Sequence, residues 1–167
     1  MGFKKTSDII AISFQVGESA AGVFTTDTIA LQLDVLNNEI FVCLAVDLNL
    51  STPEMITNTN TSLRGNIATT AQDTMTGLET TNVIAETQKA IRTDAVNAVA
   101  FQRAAEESYS VNSLDYIGII STNNFHASVQ GVGNLGVMSM AGRLWGYRAK
   151  ADASTYAALV QSEVLSA

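Results

Sequence analysis

Two side chains in this sequence could act as a nucleophile and its base, and each occurs once: Cys43 and His126. A thiolate nucleophile needs a base within hydrogen-bond reach, itself held by a third group. Cys43 lies between Val42 and Leu44 in an apolar run, the setting of a small packed residue. His126 follows Phe125 and alternates against Ala127 and Val129, which puts it on the opposite face of a strand from the core. One histidine and one cysteine cannot make an intrachain disulfide or a cysteine-based zinc site.

The stretch Gly131-Val132-Gly133-Asn134-Leu135-Gly136 satisfies G-x-G-x-x-G, with Asp152 near the distance of a ribose-binding acid. That fingerprint requires a helix next, whose N-terminus faces a pyrophosphate. Here the following residues carry Gly142 and Gly146 and read as a strand, and about thirty residues remain after Gly136. A loop between strands is the expectation. Carboxylates are spread singly apart from Glu106-Glu107, and adjacent residues on a helix point to different sides, so no acid–base pair is marked. The sequence therefore predicts no catalytic residue, no metal, no cofactor and no small-molecule substrate: the chain is not expected to be an enzyme.

A different chemistry is suggested by Arg143, Trp145, Tyr147 and Arg148. Arg143, Trp145 and Tyr147 alternate onto one side of an expected strand, with Arg148 and Lys150 close behind. Arginine and large aromatics are the types enriched at the centres of protein–protein interfaces. These four form the candidate subunit contact, although Trp145 suits a core equally well.

The elements that would position these residues follow from periodicity. Ile10, Ile12, Phe14 and Val16 alternate with polar or small residues, as in a half-buried strand. So do Ile29, Leu31, Leu33 and Val35, and then Ile40, Val42, Leu44, Val46 and Leu48. Asn37-Asn38 lies between the last two runs, and asparagine tolerates the positive φ of a two-residue turn. A hairpin closing there pairs Val35 with Ile40 and Ile29 with Val46, all apolar residues on one face.

After Ser51-Thr52-Pro53-Glu54, a helix-start or turn signal, the chain becomes rich in Thr, Asn and Ala. Leu63, Ile67, Ala71, Met75 and Leu78, then Ile84, Ile91, Ala95 and Val99, recur at helix-like intervals, which predicts two weakly amphipathic helices continuing to about Ala105. Threonine is a poor helix former, so such helices would depend on packing, and surface-hugging strands are the alternative. Strand signals return over 114–121, 125–130 and 137–149, with Asn123-Asn124 as turn residues. Asp152-Ala153-Ser154-Thr155 can cap a last helix bearing Tyr156, Leu159, Val160 and Val164.

The expectation is one α+β domain over 1–167: antiparallel β-hairpins or a sandwich-like sheet at about 8–50, a helical middle at about 53–106, and a C-terminal β-hairpin plus short helix at about 113–166. Apolar residues make up 47% of the chain and charged residues 15%, against a usual charged share of roughly 25%. Lysine and glutamate are the types depleted from interface cores, so the low charge fits a protein that meets many neighbours. A formal charge of −7 with nine scattered basic residues argues against direct nucleic-acid binding. No signal peptide is expected, and no apolar run is long enough to span a membrane. These features suit a non-enzymatic, self-assembling structural protein whose partners are copies of itself and other particle proteins. Virus or phage particle subunits (capsid, cement or tail) have this compositional character, and the virion is the expected location. A cellular filament subunit and a small ligand-binding β-domain, its pocket near His126 and residues 131–136, are the alternatives.

Overall fold

The computed structural model describes residues 2–103 and 114–166, and they form a β-sandwich with one α-helix among them. The first sheet contains β1 (Phe3–Lys5), β2 (Ile10–Gly17), β4 (Glu39–Leu50), β8 (Gly118–Ile120) and β10 (Ser139–Ala151). Both β1 and β2 pair with the same side of β10, which pairs with β4, which pairs with β8. The second sheet runs β3 (Thr25–Ala30), β9 (Asn124–Val132), β5 (Thr61–Ala68), β6 (Val83–Thr93) and β7 (Ala98–Arg103). Every pairing is antiparallel.

The order β2-β10-β4-β8 facing β3-β9-β5-β6 is that of a jelly roll, two interlocked Greek keys. In such a fold, successive strands mostly belong to opposite sheets. β7 is an addition to that plan, extending the second sheet by one strand.

This architecture overturns the α+β expectation with its helical middle. Residues 61–68, 83–93 and 98–103 are strands β5, β6 and β7. Leu63 and Ile67 are four apart, a spacing shared by a helix face and by alternate positions of a strand. The inward position between them is Gly65, where a Cβ would collide with Met140 Sδ and lie 3.0 Å from Leu50 Cδ2. A glycine at a close approach of the two sheets thus erased the alternation. The threonines that disfavour a helix suit strands. Glu106 and Glu107, and the end of the expected helix near Ala105, lie outside the described residues.

The expected hairpin at Asn37-Asn38 is also replaced. Asn38 does take positive φ, 56°, but the turn over Val35–Asn37 carries the chain from one sheet to the other. Ile29 belongs to β3, which pairs with β9, while Val46 belongs to β4, which pairs with β10. Leu31 and Leu33 fill the core as the chain crosses, and Leu36 is 92% exposed at the turn. The C-terminal hairpin divides likewise: β8 and β10 lie in the first sheet, β9 in the second.

The apolar row of β4 is split by a β-bulge. Ala45 pairs with Trp145 and Cys43 with Gly146, leaving Leu44 without a partner in register. Phe41, Cys43, Val46, Leu48 and Leu50 therefore all reach the core between the sheets, where Phe14 and Phe125 meet edge to face at 5.4 Å. Ile40 and Val42 instead emerge on the outer face of the first sheet, beneath Tyr156 and Leu159 of α1 (Ala153–Leu165). The cap of α1 is the expected one, Asp152 accepting from the Thr155 N–H at 2.8 Å.

Candidate assembly surfaces

The structure distributes the four candidate contact residues over three environments. Arg143 and Trp145 stand together on the outer face of β10, beyond the area covered by α1. The Arg143 guanidinium lies 5.9 Å from the Trp145 ring centroid, and its Nε donates to Ser13 Oγ at 3.1 Å. With Asp47, Asn49 and Ala141 they line an open hollow of about 310 Å³. Tyr147, on the same row, packs against the Ile40–Val42 cluster under α1, with Lys5 Nζ 5.0 Å from its ring centroid.

Arg148 points the other way and acts as a strut. Its guanidinium donates to the Leu31 and Gln32 carbonyls at 3.0 and 3.1 Å and lies 3.4 Å from Glu39 Oε2. It pins the segment that crosses from β3 toward β4. All three of these partners lie within its own chain.

The residues of conventional chemistry are kept apart. Cys43 is buried in the core, where desolvation and, secondarily, the Glu163 carboxylate push its thiol pKa up. His126 sits on the outer face of the second sheet with Nδ1 3.1 Å from Thr28 Oγ1, and partial burial lowers its pKa. Residues 131–136 run from the last two residues of β9 into the loop that leads to β10. Its backbone is tied by two buried or half-buried acids absent from the sequence-based candidates. Glu18 accepts from Gly131 N–H and, at 2.9 Å, from Met138 N–H. Glu54 accepts from Leu135 N–H. Two amides of the G-x-G-x-x-G stretch, those of Gly131 and Leu135, are thereby engaged by carboxylates.

Glu163, the buried residue of α1, accepts from the Ser121 N–H at 2.7 Å, while its other oxygen has no partner among the described groups. Burial raises its pKa despite the bonds from Ser121 and Thr122. Among the described residues no group of three or more His, Cys, Asp or Glu is placed to hold a metal ion. No described helix is long and apolar enough to cross a membrane.

The feature that periodicity did not single out is β7. All six of its residues, Ala98 to Arg103, are exposed, with Val99 at 52% and Phe101 at 54%. One edge pairs with β6, and the other edge pairs with no described strand. An apolar strand with an open edge is a ready template for another strand. Arg92 stacks over the Phe101 ring at 6.0 Å, and Arg103 and Arg64 flank Glu86 at 3.8 and 2.9 Å.

No family model matches the chain, and no curated protein matches its sequence. Solved virus structures are similar to it at low scores. A chain of Desmodium yellow mottle tymovirus aligns with TM-score 0.32 and 11% identity, over 84% of this chain and 81% of that one. A turnip yellow mosaic virus chain gives 0.29 and 12%, over 89% and 99%. The VP2 subviral particle of infectious bursal disease virus gives 0.31 and 11%, over 86% of this chain and 33% of that one. The jelly-roll description rests on the strand pairing above and not on these matches.

Proposed function

We propose that the chain is a non-enzymatic structural subunit that assembles with copies of itself, as a capsid, cement or tail component of a virus or phage particle. The observation that carries the reading is β7, an apolar strand exposed on both faces whose second edge pairs with no described strand. Monomeric proteins blunt such edges with charge, proline or a covering element. The pair of exposed Arg143 and half-buried Trp145 is a second surface of interface composition, and the low overall charge removes a common obstacle to close packing. Jelly rolls build viral capsid domains and also lectins and cupins, so the particle setting is an analogy of fold while self-association is argued from the surface.

The test is the mass of the full chain in solution, by light scattering over a concentration series, followed by imaging of whatever forms. Growth into a closed oligomer or a particle is the expected result. A monodisperse monomer at every concentration contradicts homo-assembly.

A further inference from the structure

The edge of β7 away from β6, which pairs with no described strand, has a defined hydrogen-bonding register. At the β6–β7 turn the Asp94 N–H donates to the Asn97 carbonyl at 2.9 Å. In an antiparallel ladder, bonded and non-bonded pairs alternate. Arg92–Val99, Ala90–Phe101 and Gln88–Arg103 are therefore the bonded pairs with β6. It follows that the N–H and C=O groups of Ala98, Ala100 and Gln102 point away from β6, toward the open edge.

We propose that a second copy of this chain adds its own β7 to this edge, antiparallel, across a two-fold axis centred on Ala100, so that two sheets become one. This deepens the assembly reading and rests on it. In that register Ala98 faces the second copy's Gln102, Ala100 faces its own equivalent, and Gln102 faces the second copy's Ala98. All three outward residues of each strand are bonded, giving about six hydrogen bonds at two per pair. The non-bonded positions between them, where side chains approach most closely, bring Val99 against the second copy's Phe101 and the reverse, an aromatic with β-branched pair.

Charge selects the same register. Arg103 falls opposite the second copy's Asn97, whose N–H donates to Asp94 Oδ1 at 2.6 Å while Val96 N–H donates at 2.7 Å. Those backbone hydrogen bonds, Val96 first and then Asn97, hold the Asp94 carboxyl below its usual range, so it is ionised near neutral pH. A basic strand end thus meets an acidic turn, twice by symmetry. Sliding by two residues one way sets Phe101 against itself and moves Arg103 away from the acid to Val99; sliding the other way sets Val99 against itself and carries Gln102 past the strand end to face the turn residue Val96. Sliding by one residue brings outward groups against inward ones and turns the outer face to the inner side.

The experiment uses three sets of variants of the full chain. Ala100→Pro deletes an N–H that faces the open edge, a position where a strand tolerates proline; its melting temperature and circular dichroism verify the fold, and its dimer should dissociate at a concentration at least tenfold higher than wild type. Ala100→Cys should form an interchain disulfide under mild oxidation, since a bonded pair places Cα atoms about 5.5 Å apart, whereas wild type, with Cys43 buried, should not. Ala98→Cys and Gln102→Cys should each fail alone and cross-link when mixed. Assembly of wild type with no Ala100→Cys cross-link and an Ala100→Pro variant that assembles normally would overturn the edge pairing and leave the assembly reading standing. A wild-type chain that is monomeric throughout would overturn both.

Discussion

Gly65→Ala separates the two readings of the Thr/Asn/Ala-rich middle by the sign of its effect. In a helix, alanine in place of glycine would stabilise the chain by about 0.8–1 kcal/mol. In the sandwich, Gly65 faces inward on β5 between Leu63 and Ile67, with Met140 and Leu50 of the opposing sheet directly above it. The new methyl would overlap Met140 Sδ. Met140 is fully buried and cannot swing into solvent, and Leu50 Cδ2 at 3.0 Å closes the other direction. Overpacking of this kind costs about 1–3 kcal/mol. For a chain of this size each kcal/mol lowers the melting temperature by about 2–4 °C. Urea and thermal denaturation of wild type and Gly65→Ala would measure it, with the urea m-value confirming that both unfold by the same transition. Met140→Ala, costly alone because it empties a buried site, should cost less in the Gly65→Ala background than in wild type, an interaction term of opposite sign. An unchanged or higher melting temperature for Gly65→Ala would refute the packing of β5 against β10 and β4.

Three further outcomes follow from other parts of the fold. Asp152→Ala removes the cap of α1 and should cost about 1 kcal/mol in denaturation experiments, whereas Asp152→Asn, which keeps an acceptor, should cost less. Glu163 has a folded pKa raised above its ordinary 4.5 by burial, so it favours the folded state below about that pH and loses this contribution as pH rises through the raised value. Glu163→Gln should therefore be at least as stable as wild type at pH 7 and show a flatter stability profile from pH 4.5 upward; a steeper profile would contradict the burial. The Cys43 thiol should react with a disulfide reagent only as fast as the chain unfolds, and stoichiometric reaction within the mixing time at pH 8 would contradict its place in the core.

Strand positions and the last helix were legible in the sequence wherever apolar alternation was complete, as over Ile10–Val16 and Phe125–Val129, or where a cap was explicit, as at Asp152. Partners were not. Asn37-Asn38 marks a turn with the backbone it was expected to have, but nothing in the two residues says that the chain leaves one sheet for the other. In a jelly roll that crossing is the usual case, so local pairing is the wrong default. The middle was misread in part because Gly65 occupies an inward position that alternation would fill with a large apolar residue, leaving Leu63 and Ile67 at a spacing of four that a helix shares. The bulge at Leu44 is silent in the sequence, yet it sends Ile40 and Val42 to a different face from Val46 and Leu48.

Of the site residues, the packed setting of Cys43 and the place of residues 131–136 between two strands were readable from their neighbours. Arg148 was grouped with Trp145 because they are close along one strand, whereas its partners Leu31, Gln32 and Glu39 are more than a hundred residues away. The exposure of Val99 and Phe101 depends on β7 lying outside the eight-stranded plan, and periodicity carries no information about which strand is last in a sheet.

The most direct test of assembly through exposed sheet edges is residue-resolved amide hydrogen exchange of the full chain at low and high concentration. At low concentration the Val99, Phe101 and Arg103 amides, bonded to β6, should be protected while those of Ala98, Ala100 and Gln102 exchange freely. Concentrating the protein should protect Ala98, Ala100 and Gln102 and little else in β7. An exchange pattern independent of concentration at every residue would contradict the account.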